Sequence, residues 1–527
     1  MPESEQSRVR GLLQGIENEL ETVNTQIARA QEYVLFLQAK QAGYIEDMAK
    51  LRPAIAPHKS LPSEMLVEIF LQYAAEIAEK VIRNPGFYGY YGLAPFPWVL
   101  GQICSRWRRI ALAEPRIWSI IGLSAADQDD LPMLNEAFRR GGKSPLWLSA
   151  RDTAPAFPDS FEPDCARGVH YDDFLRDVVC SQSKRITRLC LLILDETFDH
   201  FLSLPSDSFP VLETTQLEVV GGGDSQNNEF PRIHNSDVSV FRGAARLRWI
   251  DIDISAPWLD VATPAYFPMN LGLCWPQLTH FNFLDISIQV SVAHELMKLC
   301  TSLHDCFLRL MTDVSLKVAF PVASIHLPHL QYLVVNEAGP YSIVLAKFVR
   351  PLVLPALQDF HFSLSSRTLP TDIAFLADII KGWSTSRGPA LRSELNYDGP
   401  HLEEITEHLP FLTSINAYQS VLLASMIRMM TQEQYLPNLA SLSAGVACAD
   451  MEAFIDMPKT RWARSVVRRQ QQPGASVYVI RFGNIRVLGA DDESISSLSS
   501  KILQVQEEVG VSGIKIYLQT SVFPRNT

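Results

Sequence analysis

At 527 residues the chain is longer than one hydrophobic core usually organises, so two or three structural regions are expected. Its 47% hydrophobic and 20% charged residues are globular proportions and exclude wholesale disorder. A formal charge of -12 excludes a nucleic-acid polyanion as the principal partner, because that binding rests on clustered Lys and Arg.

The start, MPESEQSRVRG, places charges where a secretory signal needs an apolar core. The longest apolar run near the middle, IVLAKFVRPLVL, is interrupted by Lys347, Arg350 and Pro351 and is too short for a bilayer. A soluble, intracellular protein of cytoplasm or nucleus, without membrane contact, is expected. Cysteines at 104, 165, 180, 190, 274, 300, 306 and 448 stand singly, without zinc-type spacing. They read mostly as small buried hydrophobes in a reducing compartment.

From Val9 to Leu51 apolar residues recur at alternating steps of three and four. Val9, Ile16, Val23, Ala30, Leu37, Tyr44 and Leu51 fill one heptad position; Leu13, Leu20, Ile27, Val34, Gln41 and Met48 fill the other. This predicts a coiled-coil-type helix, ended by Pro53. Two uses fit residues 9–51: a homodimer, or a helix packing its seam back on its own chain. The segment 1–56 is the arm.

Pro57 and Pro62 then mark a break. A helix follows from Leu61-Pro62-Ser63, with Met65, Leu66, Ile69, Phe70, Tyr73 and Ile77 on one face. NPGFYGYYGLAPFP interrupts it, and Trp98, Val99, Ile103, Trp107, Ile110 and Ala111 resume the helical stripe. Pro115 opens a last short element with Ile117, Trp118 and Ile121 apolar.

The ordered set Leu61-Pro62, Glu64, Leu66, Ile69-Phe70, Cys104-Ser105-Arg106-Trp107-Arg108, Ala111, Pro115 and Ile117-Trp118 resembles an F-box. The likeness is greatest to the F-box-like proteins abundant in mushroom-type fungi, which place a heptad helix before the box and irregular leucine-rich repeats after it. The resemblance implies a three-helix module over 57–122 that docks on the Skp-type adaptor, and through it on the cullin, of a ubiquitin ligase. It assigns adaptor binding to Leu61, Pro62, Leu66, Ile69, Phe70, Cys104 and Trp107, with Leu61 and Pro62 foremost and Trp107 also a core candidate. The loop from about Glu79 to Phe96 is longer than a compact box has.

Residues 123–182 form a connecting segment: a helix over Leu131–Arg140, a Gly-Gly stop, a first strand at Pro-Leu-Trp-Leu and a Pro/Asp-rich loop from Asp152 to Ala166. Gly142-Lys143-Ser144 is not a phosphate loop, because Ala137 stands where the leading glycine is needed and a helix precedes rather than follows.

From 183 to 527 the chain repeats. Ile186, Leu212, Leu247, Leu278, Leu303, Leu330, Leu357, Leu412 and Leu439 each lead an apolar-x-x-apolar-x-apolar stretch, and PALRSELNY near Leu391 could hold a degenerate unit. A spacing near 27 residues lies in the leucine-rich-repeat range. The predicted fold is α/β: a curved solenoid with parallel strands on its concave face and helices on its convex face. Helix-like returns include VAHELMKLC, TDIAFLADIIKGW, MEAFIDM and ISSLSSKILQVQEEV. No regular Asn or Cys follows the strands.

Residues flanking the third apolar position of a unit point to the open face, since side chains alternate along a strand. That selects Asp251, Asp253, Asn282, Arg309, Val334, Asn336, His361, Ser363, Asn416 and Tyr418 as the substrate-binding surface. No nucleophile elbow, His-Glu-x-x-His helix or metal cluster is evident, so no catalytic residue, metal or cofactor is assigned. The Arg106/Arg108/Arg109 and Arg461/Arg464/Arg468/Arg469 runs read as solvated helix faces or salt-bridge partners; the second could touch an acidic protein. The expected function is substrate recognition for an SCF-type ligase, the chain itself doing no bond chemistry. A scaffold, or a repeat module binding partners without ubiquitin transfer, is the alternative.

Overall fold

The computed structural model describes residues 3–51, 61–83, 92–93, 97–124, 131–151, 175–220, 238–254, 267–312, 323–337, 343–364, 370–385, 391–397, 401–432, 435–471, 481–488 and positions 500, 501 and 504. The break near Pro57, the loop after Asp152, Cys165 and most of the helix expected at ISSLSSKILQVQEEV lie outside them.

Helix α1, Glu3–Leu51, is as the heptads require. Its seam is uncovered, however: Leu13, Leu20, Val23, Ile27, Val34 and Met48 are each about half exposed. The alternative in which this helix folds back on its own chain is therefore not what the structure holds.

The next elements form one helical module. Helix α2, Ser63–Arg83, begins after Pro62, whose carbonyl accepts the Leu66 amide at 3.2 Å. Leu66, Val67, Phe70, Ala74 and Ala78 recur at helical spacing and are buried. A two-residue strand β1, Gly92–Leu93, precedes α3, Leu100–Ile103, and α4, Ser105–Ala113. Cys104 caps α4: in extended backbone, its Sγ accepts the Trp107 amide at 3.4 Å. Glu114 does the same for the 3-10 turn Pro115–Ser119, accepting the Arg116 amide at 3.2 Å, with Pro115 in the first position. Trp118 is buried, its indole Nε1 donating to the Ala111 carbonyl at 2.6 Å.

Two expectations are corrected here. The stretch read as a loop from Glu79 is helical to Arg83, and Gly92–Leu93 pairs antiparallel with Ser124 and Leu123 of strand β2, Ile120–Ser124. Part of the long insertion thus returns to cover an edge that would otherwise present unpaired backbone groups. The first parallel strand is accordingly β2, whose Ile120-Ile121-Gly122-Leu123 continues the apolar run of the turn before it, and not Pro-Leu-Trp-Leu.

Helix α5, Leu131–Gly141, leads into β3, Leu146–Arg151. The strands then follow as β4 Ile186–Leu194, β5 Thr214–Val220, β6 Trp249–Ile254, β7 His280–Gln289, β8 Asp305–Met311, β9 Ile325–His326, β10 Tyr332–Glu337, β11 Leu352–Val353, β12 Asp359–Leu364, β13 Arg392–Tyr397, β14 Ser414–Leu422, β15 Ser441–Ala447 and β16 Arg481–Leu488. Among the described residues fourteen of these form one sheet in chain order, all parallel except the β1–β2 pair; β9 and β11 form a small sheet of their own. Helices such as Val290–Leu299, Pro370–Thr385 and Met451–Gln471 connect successive strands. The chain is α/β, with a long N-terminal helix and a large parallel sheet.

Each expected repeat stretch supplies one strand, because its apolar positions share a face. Leu217, Ile252, Phe283, Leu308, Val335, Phe362, Leu395 and Ile415 are all at most 1% exposed. The leading leucines are buried just before the strands, and the carbonyl that follows each one collects amides of the next unit. Glu213 O accepts from Arg248 and Trp249, Thr279 O from His304 and Asp305, His304 O from Gln331 and Tyr332. The degenerate unit is a full strand, β13, in which Ser393 takes the core position held by Phe360 next door. Its hydroxyl donates to the Phe411 carbonyl at 3.1 Å, which makes the buried serine tolerable. One continuous apolar core runs from Leu66 to Val487.

The cysteines are more varied than expected. Cys190, Cys300 and Cys306 are buried, but Cys104 and Cys274 are exposed. Burial pushes the Cys190 thiol up to about 11 and the Cys300 thiol up to about 12, so neither is a nucleophile at neutral pH.

Candidate functional site

Two surfaces carry the expected site residues. On the helical module, Leu66 and Phe70, expected to contact a partner, are 1% and 2% exposed and face the sheet side of α2. A helix presents one stripe to its core, and theirs is that stripe. Trp107 is half-buried, its ring 4.7 Å from that of Phe70. Leu61 packs half-buried on the core, and Arg106 at the start of α4 donates to its carbonyl. Pro62 and Cys104 are exposed. Ile69 is 46% exposed and lies between Met65 and Tyr73, at 52% and 48%. These three stand four residues apart and form an outward apolar stripe that the sequence pattern had merged with the inward one. Ile103 and Leu112 are further exposed apolar side chains of the module.

The basic residues here are structural in part. Arg108 Nε donates to the Gly101 carbonyl at 2.7 Å. Arg461 is buried rather than solvated, and Arg464 donates to the Thr431 carbonyl at 2.8 Å; the side chains of Arg468 and Arg469 lie outside the described residues.

The second surface is the open face of the sheet. Alternation brings the residues between the buried apolar positions to it, and they are half-buried throughout β8, β10 and β12. The parallel register lines them into rows. One row holds Asp251, Asn282, Phe307, Val334, His361 and Glu394; another holds Arg309, Asn336, Ser363, Asn396 and Asn416. Asp253 lies two residues beyond Asp251 on the same face of β6. All the expected substrate-face residues fall here except Tyr418, whose side chain is outside the described residues.

A third row was missed: Trp249, His280, Asp305, Tyr332, Asp359 and Arg392. It precedes the second apolar position of each unit, and the same two-residue alternation would have found it. The row is dense with contacts. Trp249, 41% exposed, stacks on His280 with centroids 5.3 Å apart, and His280 pairs with Asp305. Tyr332 lies between Phe307 and His361, at 5.3 and 4.9 Å. Arg392 bridges Asp359 at 2.8 Å. Burial raises the Tyr332 phenol, with the carboxylates of Glu394, Asp359 and Asp305 adding to it, so it stays protonated as a donor.

Chemically this face is equipped to bind. Thr279, His280 and Asp305 form a hydrogen-bonded chain, with Thr279 Oγ1 2.9 Å from His280 Nδ1, but the same hydroxyl donates to the Arg248 carbonyl at 3.1 Å. Among the described residues no group of three or more His, Cys, Asp or Glu could hold a metal ion, and no helix is long and apolar enough to cross a membrane.

The His361–Glu394 pair gives the face a measurable pH response. The His361 Nδ1–Glu394 Oε2 contact of 3.2 Å holds the Glu394 carboxyl below its ordinary value, against burial, which pushes it up. A carboxyl with a depressed pKa contributes stability that is complete above its unfolded value and is lost as pH falls through the folded one. Glu394→Gln should therefore destabilise by less than about 1 kcal/mol at pH 7, and the difference from wild type should shrink as pH falls below the ordinary carboxylate range in urea titrations.

No family model matches the chain, and no curated protein matches it.

Proposed function

We propose that this chain is the substrate-recognition subunit of an SCF-type cullin-RING ubiquitin ligase. The helical module docks on the Skp-type adaptor, and the open face of an irregular leucine-rich-repeat sheet holds a protein substrate. The observation that carries this reading is the outward stripe of α2. Met65, Ile69 and Tyr73 stay about half exposed while the adjoining stripe of Leu66, Phe70 and Ala74 on the same helix is closed into the core. Large apolar side chains gathered on an exposed helix side mark a place for another protein. This stripe lies within the stretch whose residue order resembles an F-box.

The open face supports the second half. Trp249, Tyr332, Phe307 and His361 offer aromatic surface with polar neighbours, the composition of protein-binding hot spots. The chain would do no bond chemistry; it would raise the effective concentration of a bound substrate's lysines at the ubiquitin-charged enzyme. Cytoplasm and nucleus are the compartments this role requires.

Reconstitution with the Skp-type adaptor, cullin and RING subunit tests the reading without knowing the substrate, because receptors held in such assemblies can be modified themselves. Wild type should be ubiquitinated, and Leu61→Ala with Pro62→Ala should not. Equal modification of both would sink the docking role of that edge. A scaffold reading is favoured by one observation, the uncovered seam of α1; it would be chosen if folded wild type is never modified.

A further inference from the structure

We propose that α1 pairs with α1 of a second copy of this chain as a parallel, in-register, two-stranded coil. The inference does not depend on the ligase reading. Thirteen seam positions recur from Val9 to Leu51, of which only Gln41 is polar apart from the Tyr44 hydroxyl. Their large apolar members are about half exposed along the whole helix. A lone helix with such a seam leaves it in water, whereas a second helix of the same period covers it by knobs-into-holes packing.

The flanks limit the number of strands. Of the twelve positions flanking the seam, 10, 17, 24, 31 and 38 on one side and 19, 26, 40 and 47 on the other are polar or charged; Ile45, Leu12 and Tyr33 are the three exceptions. The apolar stripe is therefore narrow over most of the helix, and in its second half the β-branched Ile27 and Val34 precede Leu37 in the order that two parallel strands prefer; Leu13 and Leu20 before Ile16 and Val23 do not share that order. Leu35 and Phe36 lie on the outer side and stay outside this seam.

Gln41 sets direction and register. In a parallel, in-register pair it meets its own copy, and two amides can hydrogen-bond each other. In the antiparallel pair of full overlap it faces Ile16, at two separate layers. That arrangement would gain two Glu19–Lys40 pairs at the rim, but exposed ion pairs contribute little. An amide enclosed opposite isoleucine, by contrast, loses its partner. Across the parallel pair no like charges meet in the flanks between residues 9 and 51.

The test uses the full chain. Light scattering should give twice the chain mass of 59.1 kDa, and Leu20→Glu with Ile27→Glu should give 59.1 kDa with an unchanged unfolding midpoint, since neither side chain touches the core. The chain has no cysteine before Cys104, so a cysteine introduced in α1 is traceable by peptide mapping. Ile16→Cys should form a disulfide with its own copy on mild oxidation. A wild-type mass of one chain, or of three or more, overturns the proposal. So does cross-linking between Ile16→Cys and Gln41→Cys chains in a mixture while Ile16→Cys alone does not cross-link, because that is the antiparallel result.

Discussion

Arg461→Ala should lower the free energy of unfolding by about 4 kcal/mol, a large part of the stability of an ordinary domain. Arg461 is 5% exposed, and among the described residues its guanidinium binds backbone carbonyls rather than a carboxylate. Nη1 donates to Met430 O at 3.0 Å and Tyr435 O at 3.4 Å, and Nη2 to Leu436 O at 2.8 Å and Pro437 O at 3.2 Å. These carbonyls belong to the end of the helix Ala424–Thr431 and to the turn before β15. Leu436 in that turn has φ 48°, a conformation costing a non-glycine residue about 1–2 kcal/mol, so the turn needs outside support. Removing the side chain leaves buried acceptors short of donors, at about 1–3 kcal/mol for each that water cannot reach. Burial pushes the guanidinium down to about 10, so it remains charged at pH 7. Arg461→Lys should rescue little, because one ammonium cannot reach carbonyls on both arms of the fork. Urea midpoints check the magnitude. Hydrogen exchange should place the loosening in 424–437; a loss under about 1 kcal/mol would show that water replaces the arginine.

Ile69→Asp should weaken binding to the Skp-type adaptor by about 3 kcal/mol, more than a hundredfold, while leaving the unfolding midpoint within about half a kcal/mol of wild type. The separation follows from geometry. Ile69 is 46% exposed in the middle of the outward stripe, so a carboxylate there costs the free chain little but must be desolvated against an apolar partner. Phe70→Ala is the contrast. At 2% exposure it should lose about 3–5 kcal/mol of stability, with weaker adaptor binding following only from unfolding. If Ile69→Asp binds as wild type does, the stripe is not the docking surface.

Strands β4 to β8, β10, β12, β14 and β15 were legible because their apolar positions alternate and because each leading leucine is a core residue; β1 and β16 were not read as strands. Even the degenerate unit was locatable near Leu391, though not its register, since Ser393 replaces an apolar residue with a hydroxyl that only its bond to Phe411 explains. Strand β2 was not legible, because Ile120 and Ile121 follow a helical turn closely enough to read as its last residues. On α2, Ile69 and Phe70 are neighbours in sequence but lie on adjoining faces about 100° apart, one exposed and one buried, which a list of apolar residues at roughly helical spacing does not separate. The row from Trp249 to Arg392 was within reach of the alternation rule and was missed only because the rule was applied to one pair of positions in each unit. Arg461 was beyond reach. An arginine among arginines looks the same whether solvated or buried, and its partners lie 24 to 31 residues away in a separate turn.

The most direct test is titration of purified, folded wild-type chain with purified Skp-type adaptor. The expected result is a one-to-one complex with a dissociation constant of about a micromolar or less, lost on Ile69→Asp. Absence of binding by wild type with an intact unfolding transition would contradict the receptor role and leave the chain a sheet-and-coil scaffold.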